Sequence, residues 1–102
     1  MIAKSELAAM RNAKVSGHLS QYAPVWIVEE TYDLVDHQLT FHAVFQHNLY
    51  GWVKRRYLYD AHNDVLYHKG QLSLSEDAAM PIIANAPDFN TTVADTPNAY
   101  GG

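Results

Sequence analysis

Six histidines, eleven carboxylates and seven lysines or arginines are the side chains of this chain that could move a proton, hold a metal or bind an anion. There is no cysteine. A thiol nucleophile, a thiolate metal site and a disulfide are therefore excluded. The histidines do not fall at metal-ligand spacing. His42 and His47 differ in parity along a strand, so they point to opposite faces. His37 and His62 fall in turns, and His18 follows a helix. No HxH pair and no HExxH helix is present. The segment "DAHND" offers Asp60 and Asp64 but lacks the glycine and distal glutamate of a calcium loop. The sequence thus predicts no metal and no cofactor. Thr31, Asp33 and His42 suggest an acid-oriented histidine base, yet no serine nucleophile joins them. Glycine-rich phosphate loops and nucleophile elbows are also missing. A non-catalytic protein is the expectation.

Two constellations remain, and both depend on strand register. The segment "GWVKRRYLYDAHNDVLYHKG", residues 51–70, mixes aromatic and basic side chains. In an extended conformation its parity splits it into two surfaces. One surface, completed from a neighbouring strand, is a candidate binding face of His42, Arg55, Tyr57, Tyr59, Tyr67 and Lys69. Tyrosine and arginine are enriched at the energetic centres of interfaces, so this face suits a protein partner, including a second copy of the chain. The other surface brings Glu30, Arg56 and His68 into one row. Buried charges must be paired. That row is either a structural ion pair or the wall of a pocket for a polar or anionic small molecule, with a histidine tuned for proton transfer. The basic residues do not form one stripe, and the net charge is −4. Both points argue against a nucleic-acid footprint.

The elements that must position these residues follow from composition and period. With 48% apolar and 18% charged residues the chain is globular, and its 102 residues make one domain. Residues 3–16 read as a helix with Ala3, Leu7, Met10 and Ala13 on one stripe and Gly17 as its stop. Residues 25–74 are rich in Val, Tyr, Trp, Phe and Thr and read as β structure. Ser75 caps a short helix that begins over 75–80, with Pro81 either limiting it or sitting near its end. The expected fold class is α+β, an N-terminal helix packed on a four-stranded antiparallel meander, within a domain of residues 1–86. Residues 87–102 read as a poorly ordered tail. No apolar run reaches the length of a membrane span, and no secretion signal opens the chain, so a cytoplasmic home is the default.

Register can be tested by parity, because a one-residue slip sends a strand's apolar set to the wrong face. Turns at Asp36–His37, Leu49–Tyr50 and Ala61–Asn63 place Trp26, Val28, Glu30 and Tyr32 inside with Phe41, Phe45, Trp52, Leu58 and Leu66. Lys54, Arg56 and His68 come with them. A slip at the second turn would instead send Val53, Tyr57, Tyr59, Val65 and Tyr67 inward and the basic residues out.

Overall fold

The computed structural model describes residues 2–86. It contains helix α1 (Lys4–His18), a 3₁₀ turn at Ser20–Tyr22, strands β1 (Trp26–Asp33), β2 (Gln38–His47), β3 (Gly51–Asp60) and β4 (Val65–Ser73), and helix α2 (Glu76–Ala84). The strands form one antiparallel sheet in the order β1-β2-β3-β4. This is the α+β meander with an N-terminal helix that the sequence predicts. The tail expected over 87–102 lies outside the described residues.

Helix α1 lays a column of Leu7, Arg11 and Val15 on the sheet, continued by Leu19 beyond its end. The spacing is i, i+4 throughout, one side of a 3.6-residue helix. The column includes an arginine and differs from the expected stripe, since Ala3 and Ala13 are exposed. Gly17 does not stop the helix, which runs on to His18. At the other end of the domain the Ser75 side chain accepts from the Ala78 N–H, and Glu76 and Asp77 sit in the first turn of α2. That helix passes through Pro81 to Ala84. Pro81 is exposed, so the one helical hydrogen bond it removes lies on the wet side.

The turns differ from those expected, and the differences decide what faces inward. The β1–β2 connection is four residues long, Leu34 to His37, with His37 left-handed at φ 57° and the Asp36 N–H donating to Asp33 Oδ1 at 3.0 Å. Val28 then pairs with His42 and Thr31 with Thr40, so Glu29 and Glu30 together oppose Phe41. This bulge, with Glu29 at φ 56°, reverses the parity of β1. Val25 and Ile27 face inward before it, Glu30 and Tyr32 after it, and Trp26 and Val28 turn outward. The β2–β3 loop has three residues, Asn48 to Tyr50, closed by Gly51 at φ 71°. A three-residue hairpin ordinarily ends on a left-handed glycine, and this loop reads that way. It slips β3 by one residue relative to the expected register.

As a result Val53, Tyr57 and Tyr59 are buried inside, and Trp52, Lys54, Arg56 and Leu58 lie on the outer face. The last loop also gains a residue, with Asp64 rather than Asn63 left-handed at φ 53°. That second slip keeps Leu66 and His68 inside, opposite Tyr59 and Tyr57, and leaves Val65 and Tyr67 outside. A second bulge follows, with Lys69 as the extra residue beside Gly70 at φ 147°. The core under α1 is built from Leu7, Val15, Ile27, Leu39, Phe41, Phe45, Val53, Tyr57 and Tyr59.

Candidate functional site

The six residues expected on one binding face are divided between two. His42, Tyr67 and Lys69 belong to the outer face. Arg55, Tyr57 and Tyr59 belong to the inner one, where Tyr57 and Tyr59 are 1% and 0% exposed. The expected row of Glu30, Arg56 and His68 is also not assembled. Arg56 stands exposed on the outer face, and Glu30 is held by Arg11 instead. Both outcomes follow from the one-residue slip of β3 together with the second slip at the β3–β4 loop, which keeps Tyr67 outside and His68 inside.

On the outer face the bulge aims Glu29 at two neighbours. Lys54 Nζ donates to Glu29 Oε2 at 2.6 Å. His42 Nδ1 lies 3.0 Å from Glu29 Oε1, without hydrogen-bond geometry. The Lys54 hydrogen bond holds the Glu29 carboxyl below its usual range. Burial pushes the His42 imidazole down, and the nearby Glu29 charge only partly offsets this. The pair therefore favours a neutral histidine beside an ion pair. Trp26 and Trp52 pack with ring centres 6.1 Å apart, and Leu72 and Tyr67 of β4 share this face.

At the end of the sheet, Tyr22 stacks between Phe45 and His47, with both ring-centre distances 5.0 Å, and His47 stacks on Tyr50 at 4.7 Å. The Leu49 N–H donates to His47 Nδ1 at 3.0 Å. A neutral His47 therefore carries its proton on Nε2, which lies 3.3 Å from the Tyr22 hydroxyl. A cleft of about 380 Å³ opens beside this column, walled by Tyr22, Pro24, Trp26, His47 and Trp52.

A third group surrounds the Tyr57 ring on the inner face. His18 lies edge-on to it at 5.8 Å between ring centres, His68 lies 5.9 Å away, and the Arg55 guanidinium carbon 5.8 Å away. Arg55 Nη1 donates to Tyr57 Oη at 2.8 Å, and Nε to Gln71 Oε1 at 2.7 Å. The same guanidinium lies 5.1 Å over Phe45. His18 is held below the ordinary histidine value by burial first, then by the charges of Arg55 and His68. Tyr57 is raised by burial, and the Arg55 contact opposes that. In the sequence His18 stands out only as the residue after a helix, and nothing marks Gln71. No local signal joins them, because the cluster exists only once α1 lies across β3 and β4.

Among the described residues no group of three or more His, Asp or Glu side chains is arranged to hold a metal. None of the described helices is long and apolar enough to cross a membrane. No protein-family model, no curated protein and no solved structure matches this chain.

Proposed function

We propose that this protein is a small non-catalytic interaction domain that associates with a second copy of itself through the outer face and β4 edge of its sheet. One observation carries the reading. Val65, Tyr67 and Leu72 are exposed by 36%, 44% and 65%, and all three lie on the outer side of the same edge strand. Large apolar side chains in one uncovered row mark an interaction surface.

The two sheet edges are not equivalent. β1 carries Glu29, Glu30 and Asp33 and a bulge, the ordinary guards against strand addition. β4 carries one charge, Lys69, which lies 5.9 Å over its own Tyr67 ring. Its bulge comes after His68, so Val65 to His68 form a regular stretch that another strand could join. A two-fold axis normal to the sheet sets two such stretches antiparallel and keeps their outer faces continuous. A chain without cysteine suits a reducing compartment, which fits a cytoplasmic protein.

Sedimentation velocity over a concentration series tests the reading. A reversible dimer that Tyr67→Lys and Leu72→Lys convert to monomer, with unchanged circular dichroism, supports it. A strict monomer at every concentration overturns it.

A further inference from the structure

We infer that the Arg55, His18 and His68 cluster at the rim of the inner face binds a small oxyanion, a carboxylate or phosphate group. This inference stands apart from self-association. It rests first on how the cations near α1 are paired. Arg11 has Glu30 and Lys14 has Asp64. Arg55 is half-buried and, among the described residues, has no carboxylate. Its partners are a carboxamide and a phenol, both neutral.

Those neutral partners fix the guanidinium without discharging it. Gln71 holds Nε, Tyr57 holds Nη1, and the guanidinium carbon lies 5.1 Å from the Phe45 ring centre and 5.8 Å from that of Tyr57. A guanidinium has five N–H donors, so about three remain for a ligand. Their fork geometry matches a carboxylate or phosphate. An arginine already immobilised loses little conformational entropy when it binds.

The two histidines supply the rest of the site. Both are exposed, and both flank the ring on which Arg55 rests. The ionisable groups around the cluster are Lys14, His18 and Asp64, which line one hollow beside α1, Tyr22 from the 3₁₀ turn, Arg55 and Tyr57 from β3, and His68 from β4. Asp64 is engaged by Lys14 and by the Tyr59 hydroxyl. Three basic groups thus stand around one ring, and among the described residues no carboxylate pairs with any of them. A bound anion relieves their repulsion and draws a proton onto the histidines. Affinity therefore rises as pH falls through the histidine range.

The test is an NMR titration of the His18 and His68 imidazole signals with sodium phosphate and with sodium acetate. Ionic strength is held constant with chloride, at about pH 7.5 and about pH 6. Saturable shifts that tighten at the lower pH are expected. Arg55→Gln should weaken binding by roughly tenfold or more. Arg56→Gln, which removes an exposed cation from the opposite face, should leave it unchanged. His68→Asn should flatten the pH dependence, and this exposed substitution keeps the test decisive if Arg55→Gln does not fold. Saturation by one anion alone identifies the preferred group and supports the site. Shifts that merely follow chloride, equal losses in Arg55→Gln and Arg56→Gln, or an unchanged pH dependence in His68→Asn would overturn it.

Discussion

Arg11 Nη2 on α1 and Glu30 Oε2 on β1 stand 2.5 Å apart, and this ion pair joins the helix to the sheet through the core. Arg11 is 0% exposed. The Tyr32 hydroxyl donates to the same Glu30 oxygen at 3.0 Å, and Arg11 Nε donates to Asn12 Oδ1 at 2.6 Å. Arg11 Nη1 has no hydrogen-bond partner among the described residues, while the guanidinium lies 4.9 Å over Phe41. Removing one partner leaves a buried charge uncompensated, which costs about 3–5 kcal/mol in general. Glu30 is partly reached by water, so Arg11→Met should fall toward the lower end. Replacing both residues with apolar ones of similar volume should recover much of the loss, because desolvation offsets most of the pair's attraction. Urea unfolding of Arg11→Met, Glu30→Gln and the double Arg11→Met/Glu30→Leu variant checks this. A double variant no more stable than Arg11→Met would show that the pair itself, rather than its exposed remainder, sets the stability.

The ionisable groups define a stability window. His18 and His42 both titrate below the ordinary 6.5 in the folded protein. The unfolded chain therefore takes up their protons first, and stability falls as pH drops below 6.5. Glu29 is held below 4.5, and Asp60 and Asp64 below 3.8, so a second loss sets in at lower pH. Tyr32, Tyr57 and Tyr59 are all raised above 10.0, so the folded state keeps their protons longer and stability falls again as pH rises past 10.0. The melting temperature should be flat between these limits and decline on both sides. His42→Asn should remove part of the decline that begins at 6.5. A melting temperature that increases between pH 7 and about pH 5 would contradict this assignment.

The β4 bulge rests on a conformation that only glycine adopts easily. Gly70 sits at φ 147°, and a Cβ there would meet nothing within 4 Å. The strain of Gly70→Ala is thus backbone strain alone, about 1–3 kcal/mol. Gly51, at φ 71°, is also in open space but lies in the left-handed region that asparagine tolerates. Gly51→Asn should therefore cost less than Gly70→Asn. Chemical denaturation of the two variants gives the comparison, and the reverse order would count against the bulge.

The element types were legible because long segments of composition and period set them. Helix, four strands, capped second helix and their order all follow from α1's apolar spacing, the β-rich middle and Ser75. What was not legible was parity. Glu29 and Lys69 each add a residue to an edge strand, and nothing in "VEET" or "YHKG" requires a bulge. The expected turn at Leu49–Tyr50 has two residues, whereas the loop before Gly51 has three. Each error of one residue exchanges the faces of a strand, so Arg55, Tyr57 and Tyr59 moved inward and Trp26 and Trp52 moved out. The site suffered more than the fold, since a site needs side-chain direction. Arg11 by its type carries no sign of its burial, because a charge within an apolar column reads as surface. Its position four residues from both Leu7 and Val15 was the available clue.

The β3–β4 loop is pinned to α1 through Asp64, and this anchor yields a further prediction. The Tyr59 hydroxyl donates to Asp64 Oδ1 at 2.6 Å, and Lys14 Nζ lies 3.1 Å from Oδ2. The two contacts are unequal. Tyr59 is fully buried, and its hydroxyl loses the Asp64 acceptor if that residue is removed. Lys14 is 37% exposed and pairs in water. Tyr59→Phe should therefore destabilise by about 1.5–3 kcal/mol, the range for a hydrogen bond to a charged group. Lys14→Gln should change stability by about 0.5 kcal/mol or less. Asp64→Asn keeps both an acceptor and the tolerance for left-handed backbone, so it should be milder than Asp64→Ala, which loses both. Urea midpoints for the four variants separate these contributions. Equal effects of Tyr59→Phe and Lys14→Gln would mean that the loop is held by charge attraction and not by the buried phenol.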